Sequence, residues 1–353
     1  MKAGKAHFSL IYLSLIFFYL LSGAPRTAIA QEGFKLHFPV NCVLHENCFV
    51  ASYFDLDTQI GYVTDFTCGD ISKDNQKGTH IILQDFKDTA LNFFVLAAAD
   101  GEVIAYSDGL PDLVIASGDV HNYPENPCGN GIVLEHDGGW TTRYCHLKNN
   151  SLLVKLGDKV KKGQAIARIG SSGQTDWPKL DFSVAQNGYL FDPFSGKTTL
   201  EKCGGTISPM WEQPLTYTAF AILKAGFNIG FPDQQKAEIG HLQDYKLIPD
   251  ITPDLNLWAM LLNVRKGDII SLEILDPEGR IFNSYREEAT FDIERHFVYL
   301  YTKKKNILWD RGLYTGIIRL ERYQGAELHE TFKTTTVQLY DQEKALQKQQ
   351  DQQ

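Results

Sequence analysis

A basic surplus is missing from this chain: 34 Lys and Arg stand against 43 Asp and Glu, a formal net charge of −9. Loss of residues 1–30 would remove Lys2, Lys5 and Arg26 and no acid, taking that balance from −9 to −12. So acidic a chain argues against nucleic acid or an anionic membrane surface as partner, since both want a basic face. Cys-x-x-Cys spacing is missing too, which speaks against a cysteine zinc site. No apolar run of spanning length follows residue 30, and no repeat of fixed period occurs. Helix signals are scarce.

What is present begins with MKAGKAHFSLIYLSLIFFYLLSGAPRTAIA. Two early lysines, an apolar stretch from His7 to Gly23 and a small-x-small site at Ala28-Ile29-Ala30 predict a secretory signal peptide over residues 1–30. A membrane anchor is the alternative, the run being near the lower limit for spanning. The expectation is export to the periplasm or beyond the cell, with no stable membrane span in the mature chain. About 320 residues remain, room for two domains. All six cysteines lie in the exported part, and an even count there predicts disulfides. Cys42 and Cys48 close a short loop, and Cys128 and Cys145 flank a predicted hairpin. That would leave Cys68 for Cys203, with other connectivities open.

Strand signals run from Phe34 to Leu339: short stretches rich in Val, Ile, Phe and Tyr, punctuated by Gly, Asp and Asn. In GIVLEHDGGWTTRYCHL the triplet Asp137-Gly138-Gly139 predicts a hairpin turn, because glycine supplies the positive φ that a tight reversal needs. Composition divides the chain into an N-terminal extension (31–75) carrying Cys42 and Cys48, a first domain (76–196) and a polar linker (197–215). A second β-rich domain of sandwich-like spacing (216–340) and a polar tail (341–353) follow. The fold expected is all-β. Trp258, Phe297, Tyr299, Tyr301, Trp309 and Tyr314 sit on strand periods and are expected in a core.

The stretch Pro178-Lys179-Leu180-Asp181-Phe182 stands out. On a strand, side chains two apart share a face, so Leu180 and Phe182 would enter a core while Lys179 and Asp181 project together from the other side. The phrase VKLGDKVKKGQAIARIG also occurs in biotinyl and lipoyl carrier domains, but the tip DGGW has no lysine to modify.

Taken together, KGTH (77–80), VLAAADGEVI (95–104), GNGIVLEHDGGWTTRYCHL (129–147), VKLGDKVKKGQAIARIGSSGQT (154–175) and WPKLDFSVAQNGYLFDPF (177–194) resemble the lysostaphin-like metallopeptidases, the M23 or LytM family. The resemblance covers residues 76–194 in the expected order, and implies a lysostaphin-like β-fold followed here by a smaller β-sandwich. It also implies an activity: cutting the peptide cross-links of bacterial cell wall with one zinc. The family's ligands are a His and an Asp in H-x-G-x-D and the second His of an H-x-H strand. The first His of that strand, and one in Y-x-H-L, handle the water and the oxyanion.

Carried onto this chain, Tyr144-Cys145-His146-Leu147 keeps the last phrase intact. Gln76 stands at the first zinc His, His80 at the zinc Asp, Lys179 at the catalytic His and Asp181 at the third ligand; no H-x-H occurs. His80 and Asp181 could still reach a metal, but an amide is a poor zinc ligand and an ammonium repels the ion. A Lys179–Asp181 or His80–Asp181 ion pair would satisfy the charges without metal, and Asp119 and His121 could supplement a remodelled site. His136 is expected to be structural.

Three readings follow from the resemblance. The first is a degenerate, non-catalytic member that binds cell-wall peptide, peptidoglycan or a cell-wall hydrolase. The second is a zinc endopeptidase with a rebuilt ligand set of His80, Asp181 and Gln76, using His146. The third is a structural or adhesive envelope protein.

Overall fold

Apolar residues at every second position pull ten short strands of the first half onto one core. They are β1 (Cys48–Ser52), β2 (Thr79–Leu83), β3 (Phe94–Leu96), β4 (Gly101–Ser107), β5 (Gly131–His136), β6 (Trp140–Cys145), β7 (Lys159–Val160), β8 (Ala165–Arg168), β9 (Lys179–Gln186) and β10 (Tyr189–Phe191). In this computed structural model residues 33–114, 126–304 and 306–350 are described. The expected leader, Asp119 and His121 lie outside them. Strand takes 43% of the chain and helix 6%, the all-β class expected.

Eight of these strands form one sheet in the order β1-β2-β9-β6-β5-β4-β7, with β10 on β9; β3 and β8 form a separate pair. The hairpin β5–β6 turns at 137–139, with Gly138 and Gly139 at φ 76° and 74°. Leu180, Phe182 and Val184 of β9, Ile81 and Leu83 of β2 and Val50 of β1 point to one side. There they bury against Val95, Ile166 and Ala167 of the small sheet. Full burial of each such side chain contributes about 1.5–3 kcal/mol.

The second half supplies β11 (Ala221–Asn228), β12 (Leu247–Pro249), β13 (Asn256–Val264), β14 (Ile269–Leu275), β15 (Ile281–Glu288), β16 (Ile293–Leu300), β17 (Gly312–Gln324) and β18 (Glu327–Tyr340). Two short helices, α1 (Gln234–Glu238) and α2 (Gln342–Gln350), complete the described elements. A three-stranded sheet β11-β13-β16 lies on a five-stranded sheet β12-β18-β17-β14-β15, giving a sandwich. Between them pack Leu257, Ala259, Leu261, Ile270, Leu272, Ile318 and Val337. Gly316 marks how closely the sheets approach, since a Cβ there would sit 2.4 Å from Leu257.

Phe34–Gln353 forms one compact unit, because the three-stranded sheet has two apolar faces. Its outer face, Ala221, Leu223, Trp258, Met260 and Leu262, packs on Phe49, Ala51, Ile82, Phe86 and Trp177 of the first half. The face of the large sheet opposite its own core is therefore covered over β1 and β2. Residues 197–215, polar in composition, also bury Met210 and Trp211 in the first core, with Trp211 bridged to Leu36.

Disulfides join Cys42–Cys48, Cys68–Cys203 and Cys128–Cys145, leaving no free thiol. Trp258, Trp309 and Tyr314 are buried, and Phe297 and Tyr299 are half-buried. Tyr301 departs from its expected core position: it is 37% exposed. It lies one residue beyond β16 on the face of Phe297 and Tyr299, alternating with the buried Val298, Leu300 and Thr302. Among the described residues no helix is long and apolar enough to cross a membrane.

Candidate functional site

Strand β9 turns Lys179, Asp181 and Ser183 away from the core that holds Leu180 and Phe182. Its neighbours set what faces them: His80 of β2 pairs in register with Asp181, and Arg143 of β6 with Ser183. The structure thus brings together His80, Lys179, Asp181 and, at the end of β6, His146. They lie on the same sheet face that β1 and β2 bury under the sandwich.

His80 and Asp181 face each other without bonding, Nε2 to Oδ2 being 4.0 Å. Ser52 explains the imidazole's state. Its single hydroxyl proton goes to Gln76 Oε1 at 2.9 Å, so its oxygen accepts from His80 Nδ1 at 3.0 Å. The ring therefore carries its proton on Nδ1 and leaves Nε2 as a lone pair towards the groove. Burial, then the charge of Lys179, holds His80 well below the ordinary histidine value.

Gln76 is spent internally: besides accepting from Ser52 it donates Nε2 to Gly78 O at 2.8 Å. Asp181 lies flat on Gly78, where a Cβ would come within 2.0 Å of Oδ1. That oxygen is buried and has no hydrogen-bond partner. Burial raises the Asp181 carboxyl above the usual range, against the pull of Arg143 and Lys179.

His146 is held at φ 63°, a left-handed backbone uncommon outside glycine. It is fixed from both ends, its N–H donating to Cys128 O at 2.8 Å and Nδ1 to Ser172 O at 2.8 Å. Burial and the nearby Lys179 bring its value down to about 3, so the ring is neutral at physiological pH. His136, as expected, is structural, bridging Asp100 O and Thr142 Oγ1 at 2.8 Å each.

Lys179 is 6% exposed, and burial, followed by the charge of Lys73, pushes its amine below the ordinary lysine value. The ion pair expected between Lys179 and Asp181 does not close: no carboxylate of the described residues lies within 4.0 Å of Nζ. Residues two apart on a strand are separated by roughly 6.6 Å, too far for a direct contact unless both side chains lean together.

A second set of charges arrives from the sandwich. Arg295 of β16 donates to Asp176 at 2.7 Å and to Glu294 at 3.0 Å, and its guanidinium lies 4.7 Å over the Trp177 ring. Glu294 in turn pairs with Lys73 at 2.8 Å. Burial would raise Asp176, but Arg295 overrides it and leaves the carboxyl well below its usual range. Nothing local in the sequence marks these residues, because Arg295 and Asp176 are 119 positions apart.

Zinc fits this donor set poorly. Two groups, His80 Nε2 and Asp181 Oδ2, face one space; the Gln76 amide is committed at both ends, and a lysine stands beside the pair. Among the described residues no cluster of three or more His, Cys, Asp or Glu side chains is placed to hold a metal ion. Zinc sites use at least three protein ligands.

Residues 89–193 match peptidase family M23. The match begins downstream of Gln76 and His80. A peptidoglycan DD-endopeptidase of Vibrio cholerae, ShyB, is 38% identical over 86 residues, 24% of this chain and 20% of that protein. The murein hydrolase activator EnvC of Escherichia coli is 36% identical over 100 residues, 28% of this chain and 22% of that protein. This chain thus spans about a fifth of the length of each. Among solved structures, the catalytic domain of lysostaphin from Staphylococcus simulans is 22% identical, with 40% of this chain and 85% of that one covered, at a TM-score of 0.26.

Proposed function

We propose that this chain, whose residues 89–193 match peptidase family M23, works in the bacterial envelope by binding cell-wall peptide or a cell-wall hydrolase through the face of β9 opposite the core, without cutting. The observation that carries this reading is the fate of Gln76. At a position where the family uses a histidine ligand, its amide is locked to Ser52 and Gly78. With Lys179 alongside, no third donor is placed beside His80 and Asp181 to hold a metal among the described residues. The relatives' names span both outcomes, a DD-endopeptidase and a hydrolase activator. Three disulfides and the leader-like residues 1–30 support an exported, oxidising setting.

A zinc endopeptidase built on His80, Asp181 and His146 is the competing reading, favoured by the 4.0 Å approach of His80 to Asp181. Residues 31–353, purified without chelator, are expected to hold far less than one zinc per chain and to leave purified peptidoglycan uncut. Stoichiometric zinc lost in His80→Ala, together with cross-link cleavage lost in His146→Ala, would establish the enzyme instead.

A further inference from the structure

A buried ammonium carries three hydrogen-bond donors and a charge, and burial without an acceptor is costly. Lys179 meets that description. It is more than nine-tenths buried on the face of β9 opposite the core, and among the described residues its Nζ donates no hydrogen bond and has no carboxylate within 4.0 Å.

The charges around it are already committed. Arg295 is taken by Asp176 and Glu294, and Lys73 by Glu294. His80 and His146 each use Nδ1 on a fixed oxygen. What remains facing the groove is Lys179 at its floor and Arg143, exposed on β6, against the one carboxylate of Asp181. Arg143 likewise has no carboxylate within 4.0 Å among the described residues. Two cations against one anion leave room for one further negative charge. A dianion such as phosphate would be opposed by Asp181 and Asp176.

We propose that Lys179 forms a binding site for a single carboxylate of a peptide ligand, with Arg143, in register with Ser183 further along β9, adding longer-range attraction. This rests on the groove-binding reading above and names the chemistry of its ligand. In cell-wall peptide a carboxylate comes from two sources, the free C-terminus and an acidic residue such as D-Glu. Charge-assisted bonds from an ammonium to either have the same strength and geometry.

The test titrates residues 31–353, which include the whole compact unit, with three fluorescent forms of one stem peptide, L-Ala-D-Glu-L-Lys-D-Ala, whose free carboxyls are those of D-Glu and the C-terminus alone. One has all carboxyls free, one is amidated at the C-terminus, and one is amidated at D-Glu. One of the two amidations is expected to weaken binding about ten- to a hundredfold, and which one identifies the source. Lys179→Met should abolish the difference between acid and amide forms. Arg143→Gln, at an exposed position that does not threaten folding, should shrink it. Equal binding of all three forms by the native chain would overturn the carboxylate site and leave the groove reading standing. Binding of none would overturn the carboxylate site and the peptide-binding reading together, leaving binding of a hydrolase.

Discussion

Arg295 holds Asp176 at 2.7 Å while lying over the ring of Trp177, so one side chain of the sandwich clamps two consecutive residues of the segment that enters β9. Arg295→Gln would leave Asp176, whose side chain is 38% exposed, without its cation. A loss of about 1 kcal/mol is expected, measurable by urea unfolding. Arg295→Lys should recover little of it, since an ammonium cannot stack flat on the indole and reach both carboxylates.

Gly78 is required by the carboxylate that rests on it. Gly78→Ala places a Cβ 2.0 Å from Asp181 Oδ1 and 2.9 Å from Phe182 O, with an expected cost of about 2 kcal/mol. In the double variant with Asp181→Ala the two losses should be clearly less than additive, which a double-mutant cycle reads directly. Strict additivity would place the Gly78 requirement elsewhere.

Lys179→Met removes an amine on a buried side chain that has no acceptor among the described residues, and keeps its volume. The group's value is depressed by folding, so the unfolded chain binds its proton more tightly and the penalty on the native state is present below the unfolded value. At neutral pH the variant should therefore be more stable than the native chain, by about 1–3 kcal/mol. A lower melting temperature would contradict this.

Acid should destabilise the fold through His146 as soon as pH falls below the ordinary histidine value. His146 falls from 6.5 to about 3 on folding, so its contribution is complete above pH 6.5 and is lost as pH falls towards 3. The slope is about 1.4 kcal/mol per pH unit. His146→Asn keeps a donor for Ser172 O and tolerates the left-handed backbone, and should flatten that part of the stability–pH curve.

The alternation in Lys179-Leu180-Asp181-Phe182 was legible because a strand's period of two needs nothing beyond its own residues. The β5–β6 hairpin was legible for the same reason, with Gly138 and Gly139 fixing the turn. Contacts between distant segments were not. Arg295 and Glu294 carry no motif, and Ser52, which sets the tautomer of His80, is an ordinary residue of a buried strand. The polar composition of 197–215 likewise concealed Met210 and Trp211, two apolar residues that suffice to fasten the segment to the first core. Tyr301 fitted the strand period, but a period does not say which of the two faces is covered at that point, and its own is exposed.

The covering of β1 and β2 by the sandwich has a consequence for what can lie across β9. On this face the sheet stays accessible on the β6 side, where Arg143 is exposed, and is walled off on the β2 side by Ile82, Trp177 and Leu262. An extended chain laid across the strands from β6 would meet that wall at β2. Such a blind alley selects termini and short branches over the middle of a continuous polymer.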